Sequence, residues 1–297
     1  MTSKAAVASP FQCVLDVRAR LGECPVWAVD EQVLYWVDID APALNRFDPA
    51  TGRNHAMPMP SSIGCFARRR RGGFVVALRD GIWLAAADGT LSRKVADAPY
   101  DPGHHRFNDG GCDRQGRFFA GFMNERRDAN SAALVRLDAD LTLTTVLTGI
   151  TISNGLAFSA DGLTMYHADT PTRIVHAYDF DPATGMPSNR RVFAQWDGET
   201  ERPDGGAVDA EGCYWTALFR AGRVLRIAPT GEILLDIPVP ALCPTMCAFG
   251  GTDLRTLYVT SARAGRDAGE LGRYPHSGGI FALRVDVPGL PSSLFAG

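Results

Sequence analysis

The sequence predicts an all-β fold, a six-bladed β-propeller whose ring is closed by an N-terminal strand. Three observations predict it. Long stretches with helical periodicity are absent. Short β-branched and aromatic runs recur between clusters of Gly, Asp and Pro, their starts spaced by roughly 40 to 50 residues, the length of a four-stranded blade. One phrase is also written twice, as RFNDGGCDRQGRFFAGFM at 106–123 and as RPDGGAVDAEGCYWTAL at 202–218.

Taken in order, the recurring runs are LYWVDI from Leu34, FVVAL from Phe74, FFAGF from Phe118, TMYHAD from Thr164, CYWTAL from Cys213 and TLYVTS from Thr256. Several follow a turn (DRQGR, SADGL, DAEGC, GTDLR) and several lead into another strand and a second turn (LNRFDPATG, LVRLDAD, VHAYDFDPATG, VLRIAPTG). DPATG itself begins at Asp48 and again at Asp181, as a repeated hairpin tip does. Six such units fill residues 1–297 as one propeller domain. An open ring leaves unpaired strand edges. The run FQCVLDV at 11–17 is expected to pair with the last blade, built from TLYVTS and GGIFALRVDV, and so close the ring. A pair of β-sandwiches accounts less well for six units of similar length without a linker.

Composition narrows the function. A net charge of −3 gives no electrostatic reason to expect a nucleic acid or an anionic membrane as partner. ARRRRGGF at 67–74 reads as the solvated end of a hairpin, and the five tryptophans as blade packing. The N-terminal stretch has no apolar core of signal-peptide length, and no run of about 18 apolar residues predicts a membrane span. Seven scattered cysteines read as reduced thiols, so a cytoplasmic location is expected. Cys243 and Cys247, the one close pair, lack partners for a structural zinc site.

The loops entering the inner strands of a propeller gather at one end of its channel. The residues about ten positions before each recurring run are Glu23, Ile63 or Gly64, Asn108 with Asp109, Asn154, Asp204, and Met246 or Cys247. Four of these six phases carry a carboxylate or an amide, all oxygen donors, contributed by different blades. That set suits one divalent cation: two carboxylates offset its charge and an Asn carbonyl adds a neutral donor. Ca²⁺, Mg²⁺, Mn²⁺, Fe²⁺ and, with water, Zn²⁺ all accept such ligands. No histidine stands at these phases, and His104, His105, His167 and His176 read as surface or packing residues. Asp-Gly and Asn-Gly are common turn pairs, and Asp113, Asp161 and Asp209 are read as turn residues. Glu23, between Gly22 and Cys24-Pro25, has no such explanation.

At these positions the sequence resembles the SMP-30/gluconolactonase/LRE-like family of regucalcin-type six-bladed propellers. The resemblance rests on LGECPVW, LYWVDI, the RFNDGG and RPDGG phrases, SNGLAFSADGLTMYHADT, FGGTDLRTLYVTSA and GGIFAL, and it spans the chain. It implies a lactonase with one divalent metal at the channel mouth, its ligands matching Glu23, Asn154 and Asp204. Substrate contacts are implied at Arg106 and Asn108. Where sugar-lactone members carry a contacting glutamate, direct alignment places Arg126, with Glu125 one position earlier. The chemistry expected is hydrolysis of a small sugar lactone to the aldonic acid, with Asp204 as metal ligand and general base. Alternatives are a phosphotriesterase- or arylesterase-like hydrolase, a calcium-binding propeller without turnover, and a protein-binding scaffold.

Overall fold

In the computed structural model, residues 9–297 are described. Residues 1–8, part of the stretch read above for a leader, lie outside them. Six four-stranded antiparallel sheets follow one another along the chain. Their innermost strands are Gly22–Ala28, Ile63–Arg68, His105–Cys112, Ser153–Phe158, Arg202–Val208 and Pro244–Gly250, and they number blades 1 to 6. The sixth blade is completed by Gln12–Leu15, which pairs antiparallel with Ile280–Arg284, placing Gln12 opposite Ala282 and Cys13 opposite Phe281. The ring therefore closes as the sequence predicts.

Each recurring run is the second strand of its blade. Val33–Asp38 and Phe118–Asn124 are buried throughout, which explains why they read as near-continuous apolar runs. Outer strands face water instead, and Met186–Gln195 is mostly exposed. Aromatic pairs fill the seams between blades. Phe66 and Phe74 of blade 2 meet Tyr35 of blade 1, and Phe119 of blade 3 meets Phe158 of blade 4 at 5.3 Å between ring centroids. Tyr166 and Tyr214 join blades 4 and 5. Trp215 packs edge-on to Phe249, joining blades 5 and 6, and Trp27 stacks on Tyr258 across the closing seam. The tryptophans at 27 and 215 are thus packing residues, as read.

Two features add to the expected fold. A short helix, Ala268–Arg273, interrupts blade 6, with the Asp267 carboxylate accepting from the Glu270 amide at 2.8 Å. The C-terminal tail then returns across the far end of the ring. Gly289 bridges to Asp209, and Phe295 pairs beside Arg69 of blade 2 with its side chain fully buried. The arginine run is the hairpin end expected. Arg68 pairs with Asp30 and Glu31, Arg69 donates to the Gly297 carbonyl, and Arg70 to that of Gln115.

Candidate active site

All six inner strands carry a register shift at one phase: between Glu23 and Val26, Ile63 and Cys65, Phe107 and Gly110, Asn154 and Ala157, Pro203 and Gly206, and Pro244 and Cys247. A bulge bends its strand and re-aims the side chains beside it. The positions read as entering loops are therefore bulged first turns of strands, repeated around the axis. In blade 5 the glycines behind Asp204 make this possible. A Cβ on Gly205 would collide with Met246 of the next inner strand, and one on Gly206 with the Tyr214 hydroxyl of its own blade. The Gly-Gly pair lets adjacent inner strands close on one another.

Glu23, Asn108, Asp109, Asn154, Asp204 and Arg106 are all buried. Asn108 links two blades, its Nδ2 donating to Asn154 Oδ1 at 2.7 Å and to the Ser153 carbonyl at 3.0 Å. Asn154 Nδ2 donates to Thr170 Oγ1, and Thr170 in turn donates to the Pro203 carbonyl, each at 2.8 Å. One chain of hydrogen bonds thus runs from Asn108 through Asn154 to the residue preceding Asp204. Thr170 was not anticipated; it stands just after the buried run TMYHAD and carries no motif of its own.

Three buried carboxylates on different blades feel one another's charge. Burial pushes Glu23 well above the usual range, and the charges of Asp204 and Asp109 push it further. Asp204 is raised in the same way, by burial first and by Asp109 second. Asp109, also buried, is raised to about 6 by desolvation, although backbone amides partly offset this. Its Oδ2 accepts from the Leu156 amide at 3.0 Å, while its Oδ1 has no partner. Among the described residues no three His, Cys, Asp and Glu side chains gather as a metal cluster. The set here differs in kind, with two acidic side chains, an amide, and Asp109 turned toward blade 4. Buried carboxylates that raise one another's proton affinity, with amide oxygens on neighbouring blades, are of the chemical kind a hard divalent cation accepts.

The expected substrate contacts divide. Arg106 Nη1 donates to Asn108 Oδ1 at 2.7 Å, which buttresses the amide that holds Asn154. Glu125 lies 3.8 Å from Arg106 Nε, but its carboxylate is gripped by Arg79 through bonds of 2.7 and 2.9 Å. Arg79 is a second residue the motif reading missed; it sits in the separate run ALRD of blade 2. Arg126 is exposed, and its amide donates to Asn124 Oδ1. His167 is a packing residue: burial pushes it down to about 3, and Nε2 lies 2.8 Å from Ser153 Oγ. Below the acidic group the axis opens into a cavity of about 470 Å³ lined by Cys24, Phe66, Leu156, Cys247 and, from the tail, Leu290. None of Glu23, Asn154 and Asp204 lines it. The polar side chains therefore stand outside this cavity's lining, at the preceding positions of the same strands.

Residues 21–263 match the model of the SMP-30/gluconolactonase/LRE-like region. The chain belongs to this family. It is 48% identical over 288 residues to a 6-deoxy-6-sulfogluconolactonase of Pseudomonas putida, covering 97% of this chain and 99% of the relative. It is 36% identical to regucalcin of Xenopus laevis, over 97% of this chain and 98% of that one. A solved structure of a calcium-binding protein, regucalcin, from Agrobacterium tumefaciens superposes with a TM-score of 0.92 at 28% identity, covering 98% and 99% of the two chains. Among the described residues no helix of this family member is long and apolar enough to cross a membrane.

Proposed function

We propose that the protein is a divalent-metal-dependent lactonase that opens a sugar lactone to the aldonic acid. The observation that supports this reading is that buried Glu23 and Asp204, on different blades, feel each other's charge and that of Asp109, while Asn108 beside Asp109 bonds to Asn154 of the next blade. The sugar lactonase named among the relatives supports the substrate class. Glu23, Asn154 and Asp204 would hold the cation, which when bound supplies carbonyl polarisation and a more acidic water.

The chain's own residues do the rest. An Asp204 carboxylate oxygen takes a proton from the attacking water. The water oxygen bonds to the lactone carbonyl carbon, the ring C–O bond breaks, and the departing ring oxygen takes up a proton to become a hydroxyl. Asn108, saturated by Arg106, Ser153 and Asn154, orients Asn154, and Arg106 keeps part of its guanidinium for substrate hydroxyls. The mouth is charged, with Arg79, Glu125 and Arg126 on it, which favours a polyhydroxylated lactone over an apolar ester.

The test is aldonolactone hydrolysis by chelated and metal-restored protein. Asp204→Ala is expected to lower kcat about 10²- to 10⁴-fold with metal in excess; turnover near wild type would remove the base role. Glu23→Gln is expected to weaken cation binding measured by calorimetry. A calcium-binding propeller without turnover is the second reading, favoured by the calcium-binding regucalcin structure. It predicts cation binding without hydrolysis of any lactone in the panel.

A further inference from the structure

We infer that Arg127, Arg173, Arg202 and Arg220, on the channel mouth beside the proposed metal ligands, form an anion subsite for a sulfonate or phosphate group on the substrate, at the end away from its lactone carbonyl. This deepens, and rests on, the sugar-lactonase reading.

The four arginines are far apart in sequence, but the fold brings their backbones to one end of blades 3, 4 and 5. Arg202 opens the inner strand of blade 5, two residues before Asp204. It pairs in register with Phe219, so Arg220 follows at the same end. Arg173 ends the single turn Thr170–Thr172, and Thr170 is bonded both to Asn154 and to the Pro203 carbonyl. Arg127 donates its amide to the Asn124 carbonyl, and the Asn124 amide donates to Thr151. The Thr151 and Ile152 amides in turn bind Asp169, directly before the Arg173 turn. A continuous arc across blades 3, 4 and 5 therefore carries all four.

Among the described residues none of the four forms an ion pair, whereas Arg68, Arg79, Arg117, Arg136 and Arg226 all do. The Nε of Arg173 is buried without a partner. Of the nearby carboxylates, Asp128 accepts from the Asn124 amide group and Asp169 from backbone amides, and Glu201, next to Arg202, forms no ion pair among the described residues.

The backbone is strained at three of these positions. Arg127, Arg173 and Arg220 have φ of 57°, 59° and 70°, a left-handed conformation that suits Gly or Asn. That strain is a backbone cost which an anion does not relieve; what an anion offsets is the repulsion between guanidinium groups carried on one rim. Forked guanidinium donors match the oxygens of a tetrahedral oxyanion, and the hydroxyls of a neutral lactone do not need them.

The experiment is calorimetric binding of three probes that cannot be hydrolysed as lactones: methyl glucoside, its 6-deoxy-6-sulfonate and its 6-phosphate. The wild-type protein is expected to bind a charged probe at least tenfold more tightly than the uncharged one, and the tighter of the two charged arms names the group. Arg173→Gln with Arg202→Gln is expected to remove at least tenfold of that affinity. Arg127→Gly and Arg220→Gly relieve backbone strain, so each is expected to raise the melting temperature while weakening the charged probe. Equal binding of charged and uncharged probes, or unchanged affinity in all variants, overturns the subsite. Neutral and 6-sulfonated gluconolactone are assayed alongside. Hydrolysis of both at equal kcat/KM retires the subsite alone. Hydrolysis of neither, with tight binding of a charged glycoside, retires the lactonase and leaves the subsite standing.

Discussion

Asp109 is a carboxylate with one oxygen bonded and one oxygen left without a partner inside the ring. It ionises at about 6 in the folded chain, against an ordinary value of 3.8. The sign follows from which state holds the proton. As pH rises from about 4 to about 6 the unfolded chain releases it and the folded chain keeps it, so stability falls, by about 3 kcal/mol in total for this residue. His167 acts in the opposite sense, because it must charge on unfolding, and its contribution is lost as pH falls from about 6.5 toward 3. Comparison with Asp109→Asn separates the two. Without metal, the variant is expected to match wild type near pH 4 and to exceed its stability by up to about 3 kcal/mol at pH 8. Cation at about 100 times Kd should add about 2.7 kcal/mol at pH 8 to each protein, since both keep Glu23, Asn154 and Asp204. Equal denaturation curves at pH 4 and pH 8 would refute the picture. At this scale the sequence was partly legible. Glu23 stood out because no turn needs it, and Asn154 and Asp204 stood out by phase. Asp109 was legible only as the neighbour of Asn108, since burial decides its role and no motif encodes burial.

The strands and hairpins show where motif reading misjudges weight. Asp113 and Asp209 read as turn residues, and their turns are real. Yet Asp209 is fully buried and accepts from the Glu211 and Cys213 amides, from Trp215 Nε1 at 2.9 Å and from Arg226 Nε at 2.8 Å. Asp113 repeats the device with Arg117 at 2.6 Å in blade 3. One carboxylate therefore ties a turn to the second strand, and in blade 5 to the third strand as well. Asp209→Ala would strand Arg226 with only the exposed Glu211 and leave the Trp215 indole without an acceptor. It is expected to cost about 3 to 5 kcal/mol, read from denaturant midpoints; a loss under about 1 kcal/mol would show that the site is an ordinary turn. The written repeat, D-x-x-G followed by an aromatic run, announced the hairpin. It did not announce the burial, which depends on the neighbouring strand that supplies Arg226, 17 residues later.

At the scale of the whole molecule two closures hold the ring, and they act at different depths. Gln12–Leu15 completes blade 6, and the aromatic seam of Trp27 on Tyr258 packs where the last blade meets the first. This closure was legible because a strand pattern precedes the first repeat. The second was not, because the segment from Gly289 to Gly297 has neither alternation nor a repeat partner, and its one fully buried large side chain is Phe295. Phe295 is fully buried beside Phe118, its amide donating to the Arg68 carbonyl, and the tail's Leu290 and Pro291 line the cavity below the acidic group. The two closures predict different failures. Phe295→Ala removes a buried ring at the far end of the channel and is expected to cost about 3 to 5 kcal/mol of stability. The carboxylates of Glu23 and Asp204 depend on inner strands at the other end, so cation affinity of the folded variant should stay within about twofold of wild type, since sites without shared partners are close to additive. Removing the first 16 residues is expected to act on both, because an unpaired edge in blade 6 frees the seam against which Glu23 in blade 1 is held. Calorimetric cation binding and thermal melting on the two variants read this out. If Phe295→Ala lowered cation affinity as much as the N-terminal deletion, the two ends of the channel would be coupled, and the separation of an acidic site above from a structural plug below would fail.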